Sequence, residues 1–155
     1  MKIILFRFEK EKINFVECEV SSGNLTIGKK EIISLESTDN RGEKYNKIED
    51  ELRLLYNKYS TAVFAYQSPQ KNMGRIMDEE GFSNSTILHL FCYQNNIALL
   101  ELTAPYVRKK LDIPQKEFKE LLEKEKEIVS KKYNILKSNK ILDGATFVSL
   151  LRKSL

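Results

Sequence analysis

The sequence predicts an α/β domain built on a mixed sheet, and three observations carry that prediction. Strand-like segments follow one another through the first third of the chain, helical and strand patterns alternate in the middle, and the last third is helical in pattern. Sequential strands of this kind form an antiparallel meander, whereas strands reached through helical crossovers join a sheet in parallel. The expected architecture is three antiparallel strands followed by two parallel ones, flanked by helices, in a single domain over residues 1–155.

Each element has its own warrant. Lys2 to Phe8 is β-branched and apolar, and the charged Glu9 to Lys12 reads as a hairpin turn. Ile13 to Val20 alternates, with Ile13, Phe15 and Glu17 on one face and Val16, Cys18 and Val20 on the other. Turn residues fill Ser21 to Asn24, a third strand lies within Leu25 to Leu35, and the polar Glu36 to Glu43 forms a loop. Ile48, Leu52, Leu55 and Tyr59 recur at helical spacing, which predicts an amphipathic helix over Lys44 to Tyr59. Thr61 to Tyr66 is a short apolar run before a loop containing Pro69, the pattern of a buried strand.

Further on, Ile87, Leu90, Phe91 and Gln94 mark a helix ending near Asn95 and Asn96, and Ile97 to Leu102 is another buried strand. Thr103 can cap a short helix with Pro105 in its first turn, ending near Leu111. Pro114 opens a charged helix whose apolar stripe is Phe118, Leu121, Leu122, Ile128 and Val129. Its Lys/Glu run from Lys116 to Lys126 reads as a solvated face with pairs such as Glu120–Lys124. A final helix covers Lys140 to Lys153.

Composition narrows the function classes. Apolar residues make up 41% and charged residues 31%, which excludes a disordered or membrane-embedded chain. The apolar run Ile3 to Phe8 is interrupted by Arg7 and followed by charges, too short and too polar for a secretory leader or a membrane span. Cys18 and Cys92 have no metal-ligand spacing and read as small buried hydrophobes, so a reducing, cytoplasmic setting is expected. The net charge of +4 hints at an anionic partner, although Lys and Arg are mostly interleaved with Glu. No glycine cluster marks a phosphate loop. The single histidine, His89, has no acid or nucleophile identifiable beside it in sequence and reads as a packing or surface residue.

Four segments, in order, resemble the RuvC-type Holliday-junction resolvases of the ribonuclease H-like superfamily. Val63 to Pro69 (Val-Phe-Ala-Tyr-Gln-Ser-Pro) is similar to the family's fourth strand, and Asn84 to Leu90 to the helix after it. Ala98 to Leu111 resembles the fifth strand and its basic helix, and Lys140 to Val148 the closing helix. The resemblance implies a ribonuclease H-like fold and a site of four carboxylates holding two divalent cations. On this chain those four positions fall at Arg7, Gln67, Lys140 and Asp143, so one acid remains and the charge of the set is roughly +1. It also places Arg108, Lys109 and Lys110 on the family's basic helix near substrate, although basic residues at a helix C-terminus equally complement its dipole. Lys131, Lys132, Lys137 and Lys140 are the other basic residues open to nucleic acid.

The expectation is a catalytically degenerate member that acts as a nucleic-acid-binding or assembly module, with no metal ligand and no cofactor. Asp143 is then expected to pair with Arg7 or Lys140, fixed cations taking the place of metal. Two other readings stay open. One is a nuclease dependent on Mg²⁺ or Mn²⁺ with relocated ligands drawn from Glu9, Glu101 and Asp143, against which Glu9 opens a charged turn and reads as solvated. The other is a protein-interaction domain with no nucleic-acid role. DNA or RNA, a protein assembly and a homodimer are the partners to consider, and a membrane is not.

Overall fold

The computed structural model describes residues 1–36, 40–69, 71–76 and 78–155. The strands are β1 (Lys2–Phe8), β2 (Lys12–Ser21), β3 (Asn24–Ser34), β4 (Val63–Gln67), β5 (Lys71–Asn72), β6 (Arg75–Ile76) and β7 (Leu99–Leu102). The helices are α1 (Arg41–Lys58), α2 (Glu79–Gln94), α3 (Ala104–Leu111), α4 (Gln115–Tyr133) and α5 (Ile141–Leu151). The main sheet has the strand order β3-β2-β1-β4-β7. Its β1–β2 and β2–β3 pairs are antiparallel, and β1–β4 and β4–β7 are parallel. This is the mixed sheet that the sequence predicts.

Strand parity sorts the apolar residues into two cores. Ile3, Leu5, Val16, Cys18, Val20, Ala65 and Leu102 face one side and pack with α3, α4 and α5. Ile4, Phe6, Ile13, Phe15, Phe64 and Tyr66 face the other and pack with α1 and α2. The alternation expected of β2 is therefore correct, and both of its faces are covered because helices flank the sheet on both sides.

Helix starts differ from the expected ones where a cap decides them. Asn40 Oδ1 accepts the Glu43 amide at 2.8 Å, so α1 begins before the apolar periodicity does. Asp78 Oδ1 accepts the Gly81 amide at 2.8 Å and likewise starts α2 early. Thr103 caps α3 as expected, through the Tyr106 amide at 3.2 Å. In the loop expected over Glu36 to Glu43, residues 37–39 lie outside the described ones.

The short β5–β6 hairpin falls where only a loop was expected. Its tip places Met73 and Gly74 at φ +52° and +79°, the twist that a tight two-residue hairpin turn requires. On α4 the expected stripe is narrower: Phe118 and Val129 are buried, but Leu121 and Ile128 are exposed. The Lys/Glu run is not simply solvated either. Glu125 bonds Ser149 and Arg152, and Lys126 bonds Asp143, so polar ties join α4 to α5 where an apolar stripe would otherwise do so. Among the described residues no helix is long and apolar enough to cross a membrane.

Candidate functional site

The face covered by α5 ends in a row of polar side chains. The β1–β2 register pairs Leu5 with Val16 and then Arg7 with Asn14. The β1–β4 register pairs Leu5 with Ala65 and Phe6 with Tyr66, so one residue further on Arg7 and Gln67 stand side by side. Asn14, Arg7 and Gln67 thus form a row across three central strands, one step beyond the apolar row Val16, Leu5 and Ala65. Asn14 and Gln67 are buried, Gln67 at 5% exposure, and Arg7 is half-buried.

Helix α5 lies close over this face. A Cβ on Gly144 would meet Leu5 Cδ1 at 3.1 Å, tighter than ordinary packing, so glycine lets the helix approach without pushing on the core. The helix opens on Asn139, whose Oδ1 accepts the Ile141 amide at 3.1 Å and whose carbonyl accepts that of Leu142 at 3.0 Å. That start puts Lys140 and Asp143 one helical turn apart at the same end of the sheet as Gln67.

The carboxylates here are already engaged. Asp143 Oδ1 lies 2.6 Å from Lys126 Nζ. Glu9 Oε1 lies 3.4 Å from Lys140 Nζ, its Oε2 lies 3.8 Å from Lys12 Nζ, and Asn14 Nδ2 donates to that same Oε2. With its side chain 16% exposed, Glu9 is not the solvated turn residue expected. Asp143 does not pair with Arg7 or Lys140. Lys126 reaches it from α4, and Lys140 is drawn to Glu9 instead.

The turn that carries Glu9 is held from below by α2. Asn84, 2% exposed, donates through Nδ2 to the carbonyls of Glu9 and Lys10 at 2.7 and 3.3 Å. Lys44 Nζ donates to the Lys10 carbonyl at 3.1 Å. Gly81 is required at this junction, since its Cβ would fall 2.7 Å from the Phe8 carbonyl oxygen. The result is an open cleft of about 540 Å³ lined by Glu9, Lys10, Glu11, Lys12, Glu36, Asp78 and Lys140. Four acids and three lysines leave its mouth close to neutral.

Two polar atoms in the row have no partner. Arg7 Nε and Gln67 Oε1 are both buried and make no hydrogen bond. Among the described residues no carboxylate pairs with Arg7.

These groups do not fit a magnesium pair. A hard dication needs oxygen donors with negative charge, yet the four positions present a guanidinium, a neutral amide, an ammonium and one carboxylate bound to a lysine. Among the described residues no cluster of three or more His, Cys, Asp or Glu could hold a metal ion. The relocated set does not assemble either. Glu101 pairs in register with Tyr66, so it faces the side of the sheet opposite Gln67, whose register partner is Leu102.

Glu101 belongs instead to a cluster that includes His89. Tyr66 Oη and His89 Nε2 are 2.7 Å apart, with the rings edge to face. Burial, followed by the nearby Glu101 charge, raises the Tyr66 phenol above its ordinary value. His89 therefore does have titratable neighbours, which are distant in sequence. Arg108, Lys109 and Lys110 form the last turn of α3, where they complement the helix dipole, and Lys110 sits over the Tyr106 ring at 5.8 Å. Lys140 flanks α5 in the cleft, so the basic residues singled out in sequence occupy separate elements.

Asn14, Lys12 and Lys126 were not singled out from sequence. Counting register from Arg7 across the predicted hairpin would have found Asn14. Nothing local points to Lys126.

The sequence matches no protein-family model and no curated protein. Solved structures do match. The RuvC of Thermus thermophilus superposes with a TM-score of 0.63 at 9% identity, covering 97% of this chain and 92% of that one. The same protein in complex with a Holliday junction substrate gives 0.65 at 10% identity, over 97% and 91%. At such identity the likeness concerns architecture: the chain has the ribonuclease H-like fold of the RuvC-type resolvases.

Proposed function

We propose that this protein binds nucleic acid as a non-cleaving module of nucleic-acid processing. The observation that carries the reading is the exchange at the four expected acid positions. Arg7, Gln67 and Lys140 stand at three of them, and the remaining acid, Asp143, is held by Lys126. With the cleft mouth close to neutral, what distinguishes the site is that a guanidinium, an amide and an ammonium stand where a dication would need carboxylates. The solved relative was captured with a Holliday junction, which makes branched DNA the first ligand to try.

Gel shifts with branched DNA, duplex DNA and RNA across a salt series test this, run beside cleavage assays in Mg²⁺ and Mn²⁺. Binding should weaken steeply with salt and leave the strands intact, because phosphate contacts release counterions. Replacing Arg108, Lys109 and Lys110 together by Ala should flatten the salt slope by up to about three units. Cleavage that needs Mn²⁺ and is lost in Asp143→Asn would favour the nuclease reading instead.

One observation favours a role in assembly alongside. From Gly81 to Leu100 the chain carries no Asp, Glu, Lys or Arg. Phe82, Leu90 and Tyr93 lie along one exposed side of α2, Tyr93 at 84% exposure. An uncharged apolar face of this kind suits a second copy of the chain, since two such faces meet without repulsion. Light scattering on Tyr93→Glu against the unmodified protein decides it: a dimer should become a monomer.

A further inference from the structure

We infer that Arg7 grips a phosphate of the bound nucleic acid directly, with Gln67 orienting its guanidinium. This rests on the nucleic-acid reading and names the ligand chemistry of that site. Arg7 is half-buried, yet every acid near it is engaged elsewhere: Glu9 by Lys12, Lys140 and Asn14, and Asp143 by Lys126. A lysine in such a place could shed its proton, but a guanidinium cannot. Only its Nε is buried without a partner, so the terminal nitrogens carry an unpaired charge that reaches solvent, where an anion can dock.

Gln67 supports this assignment. Its Oε1 is an unused buried acceptor beside Arg7 Nε, an unused buried donor on the neighbouring strand. In the proposed arrangement Nε–H donates to Oε1. The two terminal nitrogens of Arg7 are then left as a planar fork, the geometry that suits two phosphate oxygens. A carboxylate at position 67 would neutralise Arg7, whereas a neutral amide holds it and leaves its charge free. The fixed guanidinium thereby faces phosphate without an intervening metal ion.

The 155-residue chain tests this with inorganic phosphate as probe. Melting is followed in phosphate and in chloride at matched ionic strength, for the unmodified chain, Arg7→Met, Arg7→Lys and Gln67→Glu. Phosphate should raise the melting temperature of the unmodified chain, and Arg7→Met and Gln67→Glu should abolish the rise. Arg7→Lys should keep a smaller one. Gln67→Glu covers the case in which Arg7→Met fails to fold, because a new carboxylate pairs with Arg7 and preserves the packing. In DNA binding, Arg7→Met should lower the salt slope by about one unit. An equal phosphate rise in all variants, or none in any, overturns the inference, and the nucleic-acid reading survives if the unmodified chain still binds DNA. If the unmodified chain binds no nucleic acid at any salt, that reading and the ligand named here fall together.

Discussion

Lys126 Nζ donates to Asp143 Oδ1 at 2.6 Å, joining the middle of α4 to the first turn of α5. The two residues are 17 apart in sequence and equally exposed, at 37%. The bond pairs Asp143 with a cation from α4 and not with Arg7 or Lys140. Its contribution to stability is small, since a half-exposed pair is screened by water. A double-mutant cycle with Lys126→Met and Asp143→Asn should give a coupling of about 0.5 kcal/mol at low salt. Urea unfolding in high salt should shrink it further.

Divalent ions should not stabilise the protein. Millimolar Mg²⁺ or Mn²⁺, or EDTA, should leave the melting temperature unchanged, because an ion that does not bind the native state cannot shift its unfolding. Arg7→Asp, Gln67→Glu and Lys140→Asp together with Lys126→Met should create a Mn²⁺-dependent rise. That set rebuilds the acids and also releases Asp143. A rise in the unmodified chain, lost in Asp143→Asn, would reverse the electrostatic picture of the site.

The turn bearing Glu9 depends on α2. Asn84→Ala leaves the part-buried Glu9 carbonyl without its side-chain donor, while the Lys10 carbonyl keeps Lys44 Nζ. It should cost about 1–3 kcal/mol in urea unfolding. Gly81→Ala should cost a similar amount by another route, since the added Cβ presses on the Phe8 carbonyl, which cannot give as a flexible side-chain end could. Hydrogen exchange of the turn amides should quicken in both variants.

Both thiols should be inert in the native state. Burial pushes Cys18 and Cys92 up to about 12, because a thiolate inside an apolar core loses its hydration. At pH 8 the reactive thiolate is then on the order of one part in ten thousand. Maleimide labelling should be slow and should speed up as denaturant raises the population of open forms. Rapid labelling of either cysteine under native conditions would contradict the packing of its core.

Much of this fold was legible in the sequence because alternation and helical spacing are local signals. Parity along Ile13 to Val20 assigned each side chain to the correct core, and Thr103 with Pro105 marked the start of α3. Of the four positions the resemblance gave, Arg7 and Gln67 stand side by side on β1 and β4, and Lys140 reaches Glu9 from the start of α5.

The sequence alone determined which residue types stand at the site and on which face of a strand or helix each lies, since those properties follow from period 2 and period 3.6. Only the tertiary structure decided who pairs with whom. Asp143 finds Lys126 through the packing of α4 on α5, Glu9 is held by Lys140 from a helix at the far end of the chain, and Asn84 reaches a turn 75 residues away. Arg7 and Gln67 are left without partners by the same packing. Ion pairing and burial are set by distances of a few ångströms between segments, and no local periodicity encodes such distances.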